Sequence, residues 1–131
     1  MNSRLLMIAS AAAMAAMGLL LSFAPEEALR YAGQAAPGGL PLLLQLAGAL
    51  YLGFALMNWT AKGMVLGGIY GKALVLGNFL HFTMGALALL KGAAGGTFGA
   101  VPWGITGLYA LFAILFGRML FGQPGPAQAK P

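Results

Sequence analysis

Apolar residues fill four long runs of the chain, and short polar or glycine-rich segments separate these runs. Each run approaches or exceeds the roughly 20 residues that an α-helix needs to cross the hydrocarbon core of a membrane. None of them alternates as a barrel strand does, and lipid cannot satisfy the backbone groups of an open strand. We therefore predict four membrane-spanning helices, at about residues 5–24, 40–61, 73–90 and 101–121.

The connections between these runs differ in character. Residues 25–33, PEEALRYAG, begin with proline, place acids in the first turn and end with glycine, which predicts a short helix along the outer surface. Residues 62–72 are apolar but hold four glycines, so we expect them to lie along or dip into the inner leaflet. Residues 91–100 are expected to form a flexible outer turn. Residues 122–131 are too rich in proline and glycine to pack, which predicts a disordered tail.

These elements predict an all-α fold, a four-helix transmembrane bundle with a short outer interfacial helix. Residues 1–121 form a single four-span membrane domain in this interpretation. The first run also has one feature of a signal peptide, a basic residue before an apolar stretch. Its length and the proline at position 25 favour a retained span.

The composition supports the same interpretation. Hydrophobic residues make up 60% of the chain and charged residues 7%, against about 25% charged in an average soluble domain. The net charge of +5 does not indicate nucleic-acid binding, because the basic residues are scattered singly at the edges of apolar runs. The chain has no cysteine, which excludes disulfides, thiolate metal sites and thiol catalysis within it.

The distribution of the basic residues predicts the orientation in the membrane. Five lie on the side that holds both termini, and two lie on the other side with the only two acids. The excess of positive charge marks the cytoplasmic side. We therefore expect a multi-pass protein of the cell inner membrane with both termini in the cytoplasm.

A polar cluster interrupts the apolar spans near their middle. The segment GNFLHF holds the only histidine of the chain, His81, three residues after Asn78 and on the same helical face. In the second span, Tyr51 and Asn58 also share a face. Because consecutive spans are antiparallel, we expect Tyr51 level with His81 and Asn58 near Asn78.

Two interpretations of this cluster are open. Polar side chains within spans commonly join helices by hydrogen bonds, each worth about 0.6 kcal/mol. The same four residues are also candidates to bind a quinone-like or lipid-like molecule. We predict no catalytic residue, because no acid lies in any span to orient His81, and we also predict no metal site. A haem site lacks a second axial ligand, and a coupled transporter lacks an acid within a span.

The stretch LLLQLAGALYLGFALMNWTAKG, residues 42–63, resembles the second span of the DoxX-like small bacterial membrane proteins. The layout of four spans with a short outer helix after the first is similar to that family as well. The resemblance implies a membrane protein of a mostly uncharacterised group, some of whose members are linked to quinone-coupled redox complexes. It transfers no catalytic residue, and thiol chemistry is excluded because this chain lacks cysteine.

From these observations we expect a non-enzymatic membrane subunit or a module that binds a lipid or quinone. The alternatives are a membrane subunit of a quinone-linked redox complex, and a homo-oligomeric channel or small-solute transporter. The expected partners are the lipid bilayer and either a second copy of the chain or a membrane-complex partner, with no nucleic acid. The sequence requires no cofactor.

Overall fold

The computed structural model describes residues 2–64, 68–96, 99 and 101–122, and no strand occurs among them. Four of its five helices are long and apolar enough to cross a membrane, which confirms the predicted all-α, four-helix bundle. The predicted tail lies outside the described residues except for Gly122, and so does the middle of the connection at residues 62–72. The helices are α1 (Ser3–Phe23), α2 (Pro25–Tyr31), α3 (Leu40–Ala61), α4 (Ile69–Ala94) and α5 (Val101–Phe121).

The long helices run alternately up and down. Ser10 of α1 lies beside Asn58 of α3, whereas Gly18 lies beside Gly48, so these two helices are antiparallel. Helices α4 and α5 form a second antiparallel pair, and the two pairs pack against each other less closely. We call the end at which α1 and α4 begin the N-terminal end, and the opposite end the α2 end.

Local sequence signals set the ends of the first two helices. The side-chain oxygen of Asn2 accepts hydrogen bonds from the backbone N–H groups of Arg4 and Leu5, at 3.1 and 3.4 Å, which caps α1. Helix α2 begins with Pro25, whose fixed φ suits the first helical position. It ends before Gly33, whose φ of +67° is one that glycine adopts without strain.

Helix α4 is longer than the sequence predicts, with 26 residues in place of the expected range 73–90. It begins directly after Gly68, and Gly71 is accommodated as a buried residue of the first turn. At its other end the helix continues through Gly92 to Ala94, where Lys91 in the last turn interacts favourably with the helix carboxyl terminus. The expected flexible outer turn therefore contributes four residues to α4.

Glycines allow α1 and α3 to approach each other closely. A Cβ atom on Gly48 would lie 2.7 Å from the backbone nitrogen of Ser22. A Cβ atom on Gly18 would lie 3.0 Å from the carbonyl oxygen of Gly48. Backbone contact of this kind is how small residues increase packing between helices in lipid, where apolar burial gives no driving force.

Large side chains fill the space between the two helix pairs. Phe82 of α4 is stacked on Phe112 and Phe116 of α5, with ring centroids 4.8 and 5.8 Å from its own, and it lines a small cavity with Met14 of the other pair. Met7 and Met14 of α1 are fully buried in the same core. Bulky rings and thioethers separate the pairs, which explains why polar groups from α3 and α4 meet through their side chains rather than their backbones.

Candidate functional site

The four residues of the predicted cluster form two separate groups. Asn58 and Asn78 form one group with Ser10 of α1. Tyr51 and His81 form the other group with Tyr109 of α5. On α4 the two groups are three residues apart, a rise of about 4.5 Å, and the asparagine group lies nearer the N-terminal end.

Asn58 and Asn78 are joined by two reciprocal amide hydrogen bonds. The Nδ2 atom of Asn58 donates to Oδ1 of Asn78 at 2.7 Å, and Nδ2 of Asn78 donates to Oδ1 of Asn58 at 2.8 Å. Their remaining amide protons go to the Ser10 hydroxyl at 3.0 Å and to the Leu74 carbonyl at 2.9 Å. Every polar atom of the two amides therefore has a partner within the protein.

The asparagine pair is closed to ligands. Asn58, Asn78 and Ser10 each have 0% of their surface exposed. The Ser10 hydroxyl donates to the Met7 carbonyl at 3.1 Å while it accepts from Asn58, so it offers no proton to another molecule. This group joins α1, α3 and α4 in one register, and it fits the structural interpretation of the cluster.

Tyr51, Tyr109 and His81 form a chain of hydrogen-bonding groups. The hydroxyl groups of Tyr51 and Tyr109 are hydrogen-bonded to each other, and the Tyr109 hydroxyl lies 3.5 Å from Nε2 of His81. Tyr109 is buried, whereas Tyr51 and His81 are half-buried. The chain thus runs from α3 through α5 to α4 and links the two helix pairs near their middle.

Aromatic rings surround the imidazole of His81 and hold it in place. The ring centroids of Tyr51, Phe54, Phe82 and Tyr109 lie 5.1–5.7 Å from that of His81. Two of these contacts are edge-to-face, the arrangement that aromatic quadrupoles favour.

Gly85 sets the position of the Tyr109 ring. A Cβ atom at position 85 would lie 2.5 Å from Cε1 of Tyr109, so no larger residue fits there without moving the ring. On α4, Gly85 follows His81 by one turn. The same helical face therefore supplies the space for the Tyr109 ring and the imidazole beside its hydroxyl.

A partly open cavity of about 330 Å³ adjoins the two tyrosines on the side towards the α2 end. This volume is at the lower end of the range of small-molecule sites, about 300–1,000 Å³. All four long helices contribute to its wall, which is apolar apart from the two tyrosines. The lining residues are Met17, Tyr51, Gly85, Ala88, Leu89, Ile105 and Tyr109.

The tyrosine–histidine chain can present either a donor or an acceptor to this cavity. If Nε2 of His81 carries a proton, it donates to Tyr109, which donates to Tyr51 and leaves the Tyr51 proton for a ligand carbonyl. If Nε2 is unprotonated, Tyr51 donates to Tyr109 and Tyr109 to His81, so the Tyr51 oxygen keeps lone pairs for a ligand hydroxyl. The site can thus bind a carbonyl or a hydroxyl group on an otherwise apolar molecule.

The sequence did not single out Ser10 or Tyr109 as members of the cluster. Tyr109 had a visible signal, because it lies in the middle of the fourth apolar run, whereas Tyr31 and Tyr70 lie outside the predicted spans. Ser10 lies among small residues, and nothing in its surroundings distinguishes it. Among the described residues, no group of three or more histidines and acids is placed to hold a metal ion.

No family model, curated protein or solved structure matches this chain. The DoxX-like resemblance therefore stays a prediction, and the functional inference rests on the geometry of the site.

Proposed function

We propose that the protein is a multi-pass inner-membrane protein that binds a lipid-like or quinone-like molecule in the cavity beside Tyr51 and Tyr109. The ligand is expected to carry a carbonyl or hydroxyl group on an apolar body. The observation that carries the proposal is the pairing of an apolar cavity with a hydrogen-bonding chain at its wall. Such a combination of an apolar wall with a few polar groups is typical of small-molecule sites.

The roles of the site residues follow from their positions. Tyr51 and Tyr109 line the cavity, so their hydroxyls contact the ligand. His81 does not line it and acts through the Tyr109 hydroxyl, so we assign it a positioning role. Asn58 and Asn78 have no free polar atom, and we assign them to helix association instead of ligand binding.

Mass spectrometry of the gently purified protein tests this proposal. Lipids and quinones that copurify with the wild type are compared with those that copurify with Tyr51→Phe and Tyr109→Phe, which remove only the hydroxyl groups. Tyr70→Phe is the matched control, because Tyr70 is exposed at the start of α4. We expect one retained molecule to be lost from the two cavity variants and kept by the control.

The asparagine pair separates a structural effect from a binding effect. Asn78→Ala is expected to lower stability while each folded molecule still retains the ligand, because Asn78 lies outside the cavity wall. Equal retention by the wild type and both cavity variants would contradict the proposal. So would the absence of any retained molecule from well-folded wild-type protein.

We also propose that the N-terminal end of the bundle faces the cytoplasm. The positions of Arg4, Lys62, Lys72 and Arg118 at this end support the orientation, because positive charge is enriched on the cytoplasmic side. The chain has no cysteine, so a single introduced cysteine is its only thiol. In intact cells, a membrane-impermeant maleimide should label Ala35→Cys and leave Ser3→Cys unlabelled; the reverse pattern would refute the orientation.

A further inference from the structure

A second apolar hollow, of about 490 Å³, lies between α1 and α3 on the outside of the bundle. No residue of α4 or α5 lines it, and Ala12, Leu56 and Trp59 on its wall are exposed. We call this hollow the α1–α3 groove. It is separate from the cavity beside the two tyrosines, with which it shares no lining residue.

Side-chain size explains the groove. On α1 the wall consists of Ala11, Ala12 and Ala15, which leave a shallow channel beside the helix. On α3 the wall consists of Ala55 and the larger side chains of Leu52 and Leu56, with Trp59 towards the N-terminal end. An apolar channel open to the membrane offers a surface on which an acyl chain can pack.

Two basic residues lie at the N-terminal end of this groove. The ammonium group of Lys62 lies 3.1 Å from the centroid of the Trp59 ring, so the cation is held beside the groove wall. On α1, Arg4 lies on the same face as Ala11 and Ala15, seven and eleven residues earlier, and its side chain is exposed. The antiparallel register of Ser10 with Asn58 places Arg4 within about 3 Å of the level of Lys62, at 1.5 Å per residue.

These cations have no acidic side chain near them. The only two acids of the chain, Glu26 and Glu27, belong to α2 at the opposite end. Glu27 is paired there with Arg30 at 3.6 Å. No acidic side chain of this protein is therefore placed to pair with Arg4 and Lys62, which favours a negative group from another molecule.

The dimensions match one leaflet of a bilayer. From Arg4 to Ala15 the helix rises by about 16 Å, at 1.5 Å per residue. Half of the hydrocarbon core is about 15 Å thick. A molecule with a negative group at Arg4 and an apolar chain along the alanines would therefore occupy one leaflet.

We propose that the α1–α3 groove binds an anionic phospholipid, with its phosphate at Arg4 and Lys62 and one acyl chain along Ala12 and Ala15. A second copy of this chain is a less suitable occupant. Two copies inserted in the same orientation and joined through this groove would bring their basic residues together at the same depth, and like charges repel.

Fluorescence quenching of Trp59 tests the proposal in detergent micelles. The chain has two tryptophans, so Trp103→Phe leaves Trp59 as the only one. Phosphatidylglycerol and phosphatidylcholine with brominated acyl chains serve as the probes, because bromine quenches tryptophan on contact. Each basic side chain near an anionic lipid increases binding about fivefold. At low salt we therefore expect phosphatidylglycerol to reach the same quenching as phosphatidylcholine at up to about 25-fold lower mole fraction.

A charge-matched pair of double variants locates the effect. Arg4→Gln with Lys62→Gln is expected to abolish the preference for phosphatidylglycerol. Arg118→Gln with Lys72→Gln removes the same charge at the same end and is expected to keep the preference. Quenching is expressed relative to each variant without brominated lipid, because Lys62 contacts the Trp59 ring.

Filling the groove tests the place of the acyl chain. Ala12→Leu should reduce quenching by both lipids, whereas Ala73→Leu, at an exposed site on α4, should not. Equal quenching by the two lipids, or loss of the preference in both double variants, would overturn the proposal. If Trp59 became more protected from lipid quenching as the protein concentration increased, the groove would be occupied by a second copy of the chain and the proposal would be overturned.

Discussion

Replacing Asn58 and Asn78 singly and together should reveal an energetic coupling between the two side chains. Asn78→Ala removes the two amide hydrogen bonds and leaves Oδ1 of Asn58 without a donor among the described residues. Asn58→Ala does the same to Oδ1 of Asn78. The double substitution removes both amides together, so no buried amide oxygen is left without a partner.

The size of this coupling follows from the number of bonds. Hydrogen bonds between helices in membranes have coupling energies of about 0.6 kcal/mol on average and about 1.7 kcal/mol at most. Two reciprocal bonds therefore give about 1.2 kcal/mol, with an upper limit of about 3.4 kcal/mol. The summed cost of the single substitutions should exceed the cost of the double substitution by this amount. The free-energy cost of the two cavities appears both in the sum of the single substitutions and in the double substitution, so it cancels when the two are compared.

Reversible unfolding in mixed micelles, followed by far-ultraviolet circular dichroism, measures the four free energies. A control cycle pairs Asn78→Ala with Thr60→Ala, because the exposed Thr60 hydroxyl bonds only carbonyls of its own helix. That cycle should be additive. A coupling below about 0.5 kcal/mol between Asn58 and Asn78 would refute the assignment of the pair to helix association.

Three further substitutions have defined outcomes. Gly48→Ala should destabilise the protein by about 1–3 kcal/mol, because the added Cβ meets the backbone of α1. Gly53→Ala, with open space around it, should be neutral or stabilising by up to about 1 kcal/mol, and equal unfolding free energies for the two variants would contradict the close approach of α1 and α3. Gly85→Ala should displace the Tyr109 ring and lower ligand retention in the mass-spectrometric assay, and unchanged retention would count against the cavity as the binding site. Phe82→Ala should cost about 3–5 kcal/mol, since this ring is fully buried between the helix pairs, and a cost below about 1 kcal/mol would show that the pairs are not packed through it.

The four long helices could be predicted because their signals are local. An apolar run of sufficient length specifies a spanning helix whatever its neighbours are, and α3 has the same bounds as the predicted range 40–61. Helix α2 was predictable for a similar reason, since proline, early acids and a final glycine act within a few residues. The extra turn at each end of α4 was missed because glycine-rich segments favour a loop unless packing stabilises the helix.

The residue contacts of the polar cluster could be predicted only in part. Helical periodicity places Asn78 and His81 on one face, and the structure brings Asn58 and Tyr51 to that face. The sequence did not predict that the cluster divides into a closed amide pair and a hydrogen-bonding chain. Periodicity gives the face of a residue on its own helix, but not the rotation of that helix against its neighbours.

The sequence by itself therefore determined the class of the protein, its apolar spans and the ends of its short helix, because chain length and local conformational preference suffice for these features. Only the tertiary structure decided which polar groups meet. Tyr109 is 58 residues from Tyr51, and Asn58 is 48 residues from Ser10. Those contacts depend on the close approach at Gly18 and Gly48 and on the space at Gly85, which set the rotation and spacing of the helices.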